Sequence, residues 1–76
     1  MEGNVMYIKI ENRQENTARV IEYPFNVLQF LKINLLWSGI YRAESVGVNT
    51  YNVYCKLDGS HVYTVSKARK SDSVTE

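Results

Sequence analysis

The stretch YNVYCKLDGSHVYTV, residues 51–65, decides how the rest of the chain is read. Two alternating runs flank Asp58-Gly59, and Asp-Gly between such runs is a strong hairpin signal. A type I′ turn needs positive φ at both central residues, which Asp and Gly tolerate best. With Asp58 and Gly59 at the centre, Leu57 stands opposite Ser60, Lys56 opposite His61, and Cys55 opposite Val62. Tyr54 then faces Tyr63, and Val53 faces Thr64. One face holds Tyr51, Val53, Cys55, Leu57, Val62 and Thr64, the expected core side. The other carries Asn52, Tyr54, Lys56, His61, Tyr63, Val65 and Lys67, and is expected to meet solvent with its two tyrosines side by side.

Upstream of the hairpin, IYRAESVGV (40–48) reads as a further strand, with Asn49-Thr50 as its turn. At the start, VMYIKIE (5–11) alternates, with Met6, Ile8 and Ile10 on one face and Tyr7, Lys9 and Glu11 on the other. The polar NRQENT (12–17) connects it to TARVIEY (17–23), which favours a strand pairing back onto the first, although a helical extension stays open. Pro24 disfavours helical backbone at Tyr23 and suits a helix start. From Pro24 to about Ser38 the residue types predict a helix, stopped by Gly39.

On that helix Val27, Leu28, Leu31 and Leu35 form the core stripe, while Phe30, Ile33 and Trp37 make a second apolar face. The expected fold is α+β, an antiparallel sheet of four or five strands with one helix (about 24–38) packed across it. The order is β-(β)-α-β-β-β. Residues 1–70 form a single compact domain, and 71–76 a solvated, disordered tail.

Seventy-six residues are too few for two independent cores, and a chain this short buries only about 60% of its unfolded surface. A lone cysteine excludes an internal disulfide framework, and with a single histidine it excludes a Cys/His zinc site. These counts, with no visible leader, point to a cytoplasmic protein without cofactor or metal. The longest apolar segment, VLQFLKINLLWSGI, is interrupted by Gln29, Lys32 and Asn34 and is too short for a membrane span. Net charge is +1, with a mild local excess of cations from Lys56, Lys67, Arg69 and Lys70.

Catalysis finds no support in the sequence. Cys55 and His61 are predicted on opposite faces of the hairpin, the acidic residues show no paired spacing, and four glycines form no phosphate loop. The chemistry that remains is binding. Cross-strand aromatic pairs stabilise hairpins without any ligand, yet Tyr54 and Tyr63, flanked by Lys56, His61 and Lys67, also suit a recognition surface. Phe30, Ile33 and Trp37 suit a contact with a partner or a second copy.

A protein partner is favoured over nucleic acid, because a near-neutral chain offers few phosphate contacts. A one-domain chain of this size, mixed α/β and without a catalytic motif, resembles the small proteins with which phages block host or defence machinery, anti-CRISPR proteins among them. The resemblance rests on size, isolation and the lack of a site. It implies a non-enzymatic inhibitor or accessory protein that occludes a host or defence protein in the host cytoplasm. The alternative is a nucleic-acid module that stacks bases on Tyr54 and Tyr63 and meets phosphates with Lys56, Lys67, Arg69 and Lys70.

Overall fold

The computed structural model describes residues 6–69. The tail expected at 71–76, and Lys70 with it, lie outside the described residues. Five strands form one antiparallel sheet: β1 (Met6–Asn12), β2 (Thr17–Tyr23), β3 (Tyr41–Gly47), β4 (Thr50–Cys55) and β5 (His61–Ala68). Between β2 and β3 lie helix α1 (Val27–Asn34) and a single 3-10 turn (Leu36–Ser38). The strands lie in the order β2-β1-β5-β4-β3, so the first strand sits against the last, with Tyr7 opposite Ala68. This is the expected α+β architecture, and TARVIEY is a strand. Among the described residues no helix is long and apolar enough to cross a membrane.

The helical segment begins later than Pro24 because Asn26 takes the N-cap: its backbone is extended and its side chain accepts from the Gln29 N–H at 2.9 Å. At Leu35 the backbone leaves α geometry, the last turn tightens into the 3-10 segment, and Gly39 closes it at a φ of 79°.

The helix face of the sheet carries alternate residues of every strand. Ile8, Val53 and Val65 are fully buried there with Val27 and Leu31 of α1. Tyr41 and Ala43 from β3, Tyr51 from β4, Tyr63 from β5, and Ile21 and Tyr23 from β2 pack around them. Phe30 also belongs to this core. It is only 7% exposed, and its ring meets Tyr23 edge-on at 5.2 Å. The expected second apolar face of the helix is therefore reduced to Ile33 and Trp37. Leu28, assigned to the core stripe, is exposed instead. The rotation follows from the short helix, whose Val27 and Leu31 pack down between the central strands and bring Phe30 over β2.

The β4–β5 hairpin corrects the expected register. The connection is not a two-residue turn. It is a five-residue loop, 56–60, closed by Cys55 N–H to the Ser60 carbonyl at 2.9 Å and by Gly59 N–H to the Cys55 carbonyl at 2.8 Å. Only Gly59 takes positive φ, at 76°. Asp58 instead binds Ser60 through its carboxylate, which accepts from the Ser60 N–H (3.0 Å) and hydroxyl (2.8 Å).

A register shift then lies between Val53–Tyr63 and Tyr54–His61, leaving Val62 as the extra residue of a bulge. Beyond the bulge, β5 is displaced by one residue from the expected pairing, and a one-residue slip exchanges the faces of a strand. Tyr63 and Val65 therefore turn to the helix and Thr64 turns away from it. Leu57, expected in the core, stands in the loop at 84% exposure.

Candidate functional site

The residues singled out in the sequence fall on three surfaces. Tyr54 and His61 share the uncovered face of the sheet, opposite one another in the ladder. Tyr63 lies on the helix face, its ring 6.1 Å from that of Tyr41. Lys56 is in the exposed loop, where its N–H bonds the Ile40 carbonyl at 2.7 Å. Lys67 is near the far end of β5, opposite Ile8, and so is not a neighbour of Tyr54. The expected row of two tyrosines flanked by Lys56, His61 and Lys67 does not form, because the bulge at Val62 places Tyr54 and Tyr63 on opposite faces.

A different cluster occupies the uncovered face. His61 stacks on Tyr54 with ring centroids 5.0 Å apart and planes 29° apart. Arg42, from the next strand on the other side, holds its guanidinium 4.6 Å from the Tyr54 ring centre. The tyrosine thus stands between a histidine from β5 and an arginine from β3. Behind it the His61 Nε2 meets the Tyr63 carbonyl (3.0 Å) and the Thr64 hydroxyl (3.1 Å). The Thr64 hydroxyl donates to Asn52 Oδ1 at 3.0 Å, and Asn52 Nδ2 donates to the Tyr54 hydroxyl at 3.4 Å.

A carbonyl can only accept, and the Thr64 proton is already given to Asn52, so Nε2 of His61 carries the proton. Asn52 was expected on this face with Tyr54 and His61, whereas Arg42 and Thr64 were not legible as members of a cluster, since only the observed register aligns them.

The helix side offers two further features. Beyond the end of α1 the sheet is not fully covered, and a depression of about 310 Å³ opens between Ile10, Ile21, Tyr63, Phe30 and Leu35, with Arg19 and Asn34 at its rim. A neighbouring one of about 350 Å³ shares Ile10, Arg19 and Tyr63 and reaches Glu15. On the outer surface Ile33 is 54% and Trp37 75% exposed. Phe25, just ahead of the helix, is exposed as well.

Cys55 is half-buried opposite Tyr41, on the other face from His61. Among the described residues no three of His, Cys, Asp or Glu converge in a way that holds a metal ion. Comparison with protein-family models, with curated proteins and with solved structures gave no match.

Proposed function

We propose that the protein is a small non-enzymatic binding module directed at another protein, an accessory or inhibitor that acts by occluding a surface of its partner. The observation that carries this reading is Trp37. A tryptophan left mostly in solvent, with an exposed isoleucine four residues before it, is the kind of anchor on which protein contacts concentrate. Ile33 and Trp37 form the anchor, and Phe30 lends it rigidity from the core below. The setting that suits such a chain is that of the phage-type inhibitors, anti-CRISPR proteins among them, working in the host cytoplasm.

The nucleic-acid alternative loses its main device. Bases stack on exposed aromatic faces, and here Tyr63 packs towards the helix while Tyr54 is flanked by His61 and Arg42. Lys56 and Lys67 stand at separate places and offer no continuous track for a phosphate backbone.

A pull-down from host lysate tests the reading. Tagged wild type runs beside Ile33→Ala, Trp37→Ala and Tyr54→Ala, each with and without nuclease. The expected result is a protein that survives nuclease, is lost with the first two variants and is kept by the third. Recovery of nucleic acid alone, or of proteins released by nuclease, overturns it in favour of the nucleic-acid module.

A further inference from the structure

The free edge of β3 has a sequence that matches itself. In the order β2-β1-β5-β4-β3 this strand is paired on one side only, so among the described residues its outward N–H and C=O groups meet no neighbouring strand. Soluble domains commonly guard such edges with like charges, prolines, bulges or a covering element. β3 has a bulge at Ser45/Gly47, but from Tyr41 to Ser45 it runs regularly. In that regular part the uncovered face holds one cation and one anion two residues apart, Arg42 and Glu44, both exposed.

We propose that a second copy of this chain pairs with this edge, β3 against β3, antiparallel about a two-fold axis at Ala43, which joins two five-stranded sheets into one. In that register Arg42 faces Glu44 of the second copy and Glu44 faces its Arg42. Tyr41 faces Ser45 on the helix side. A two-fold contact makes each of these pairs twice. Opposite charges directly across an antiparallel ladder are favourable, and like charges are not.

The flanks agree with the centre. Ile40 just before β3, and Val46 and Val48 at its far end, are all exposed. Antiparallel pairing brings the first of these to the other two. Arg42 need not leave Tyr54 to take part, because a guanidinium stacks through its face and donates through its edge. The opposite edge of the sheet lacks this match: about the midpoint of β2, Glu22 would face Ala18 of the copy, and neither carboxylate would meet a cation.

The contact is short compared with standard interfaces, so association depends on concentration. It is separate from the helix-side contact proposed above, because neither Ile33 nor Trp37 lies in the paired rows. It also moves self-association from the helix, where Phe30 is buried, to the sheet edge.

Sedimentation equilibrium of the whole chain from micromolar to millimolar concentration tests it. Wild type should pass from the 8.8 kDa of one chain to twice that mass. R42E and E44R should each remain at the single-chain mass, since each places like charges opposite one another. Their equimolar mixture should regain the doubled mass, because an all-acidic strand then meets an all-basic one. A wild type that stays monomeric throughout overturns the proposal. So does association that both reversals leave intact, or a mixture of folded variants that stays monomeric. Should either variant fail to fold, amide exchange on wild type decides. Slowing with concentration confined to the outward amides of β3 is required, and unchanged exchange there sinks the idea.

Discussion

Tyr54 lies stacked on His61, and the same two residues are joined from behind through Thr64 and Asn52. The four side chains close a circuit on the sheet face turned away from α1. Such a circuit restricts rotamers around the bulge at Val62 and so helps fix the register of the hairpin. Thr64 is its pivot, accepting from His61 and donating to Asn52.

Thr64→Val should therefore destabilise the fold by about 1 kcal/mol, since it leaves a half-buried Asn52 oxygen without its donor. A urea titration should show a lower midpoint with an unchanged slope.

Phe30 and Ile33 lie within one turn of each other and should respond in opposite ways. Phe30→Ala removes a ring packed edge-on against Tyr23 and should cost about 3 to 5 kcal/mol, enough to unfold much of a domain this small. Ile33→Ala at an exposed position should change stability by no more than about 0.5 kcal/mol. Thermal melts of the two variants against wild type check both. An equal loss from each would mean that Ile33 is covered in solution.

The loop at 56–60 gives the fold its acid sensitivity. Hydrogen bonds from the Ser60 backbone N–H and then from its hydroxyl hold the Asp58 carboxyl below its ordinary value of 3.8. A carboxyl depressed by folding contributes stability that is fully present above its unfolded value and is lost as pH falls through the folded one. The melting temperature should be flat from neutral pH down to the ordinary carboxylate range and decline below it, and Asp58→Asn should remove part of that decline.

The alkaline side has a separate source. Loss of hydration, then the hydrogen bond to Glu22 and that carboxylate's charge, hold the Tyr7 phenol above 10.0. A group raised by folding contributes stability that is lost as pH rises through the folded value. Tyr7→Phe should flatten that alkaline loss above pH 10 in a pH-dependent melt.

Gly59 takes a φ of 76° in open space, where an added methyl group would meet no atom within 4 Å. Gly59→Ala should still cost about 1 kcal/mol through the backbone alone, because a Cβ disfavours left-handed geometry. Double-mutant comparison with Asp58→Ala by urea denaturation should show the two effects coupled, since both act on one loop.

The alternation of β1, a helix after Pro24 stopped by Gly39, and the Asp-Gly connection were legible in the sequence, and they were enough for the α+β sheet. The register of the hairpin was not. Asp-Gly announces a turn but does not fix its length, and here the Asp58 carboxylate favours a wider loop by binding Ser60. The wider loop put Leu57 in solvent, and the bulge at Val62, which no local pattern announces, exchanged the faces of Tyr63, Thr64 and Val65. The exposed pair Ile33 and Trp37 followed from helical spacing, whereas Phe30 did not, because its burial depends on Tyr23 in β2. Long-range packing of that kind leaves no mark in a local pattern.

The placement of β1 against β5 has a kinetic consequence. The β1–β2 hairpin and the β3–β4–β5 meander are each built from neighbours in sequence, and only the Tyr7–Ala68 seam joins them. Once the hairpin and the meander have formed, closing that seam means closing the connection from Tyr23 to Tyr41, a step whose entropic cost must be met before its contacts form. Ile8 and Val65 line the two sides of the seam, with Leu31 and Val27 of α1 packed across them. The helix thus packs across both halves and acts as a latch that can hold them together only after they have met.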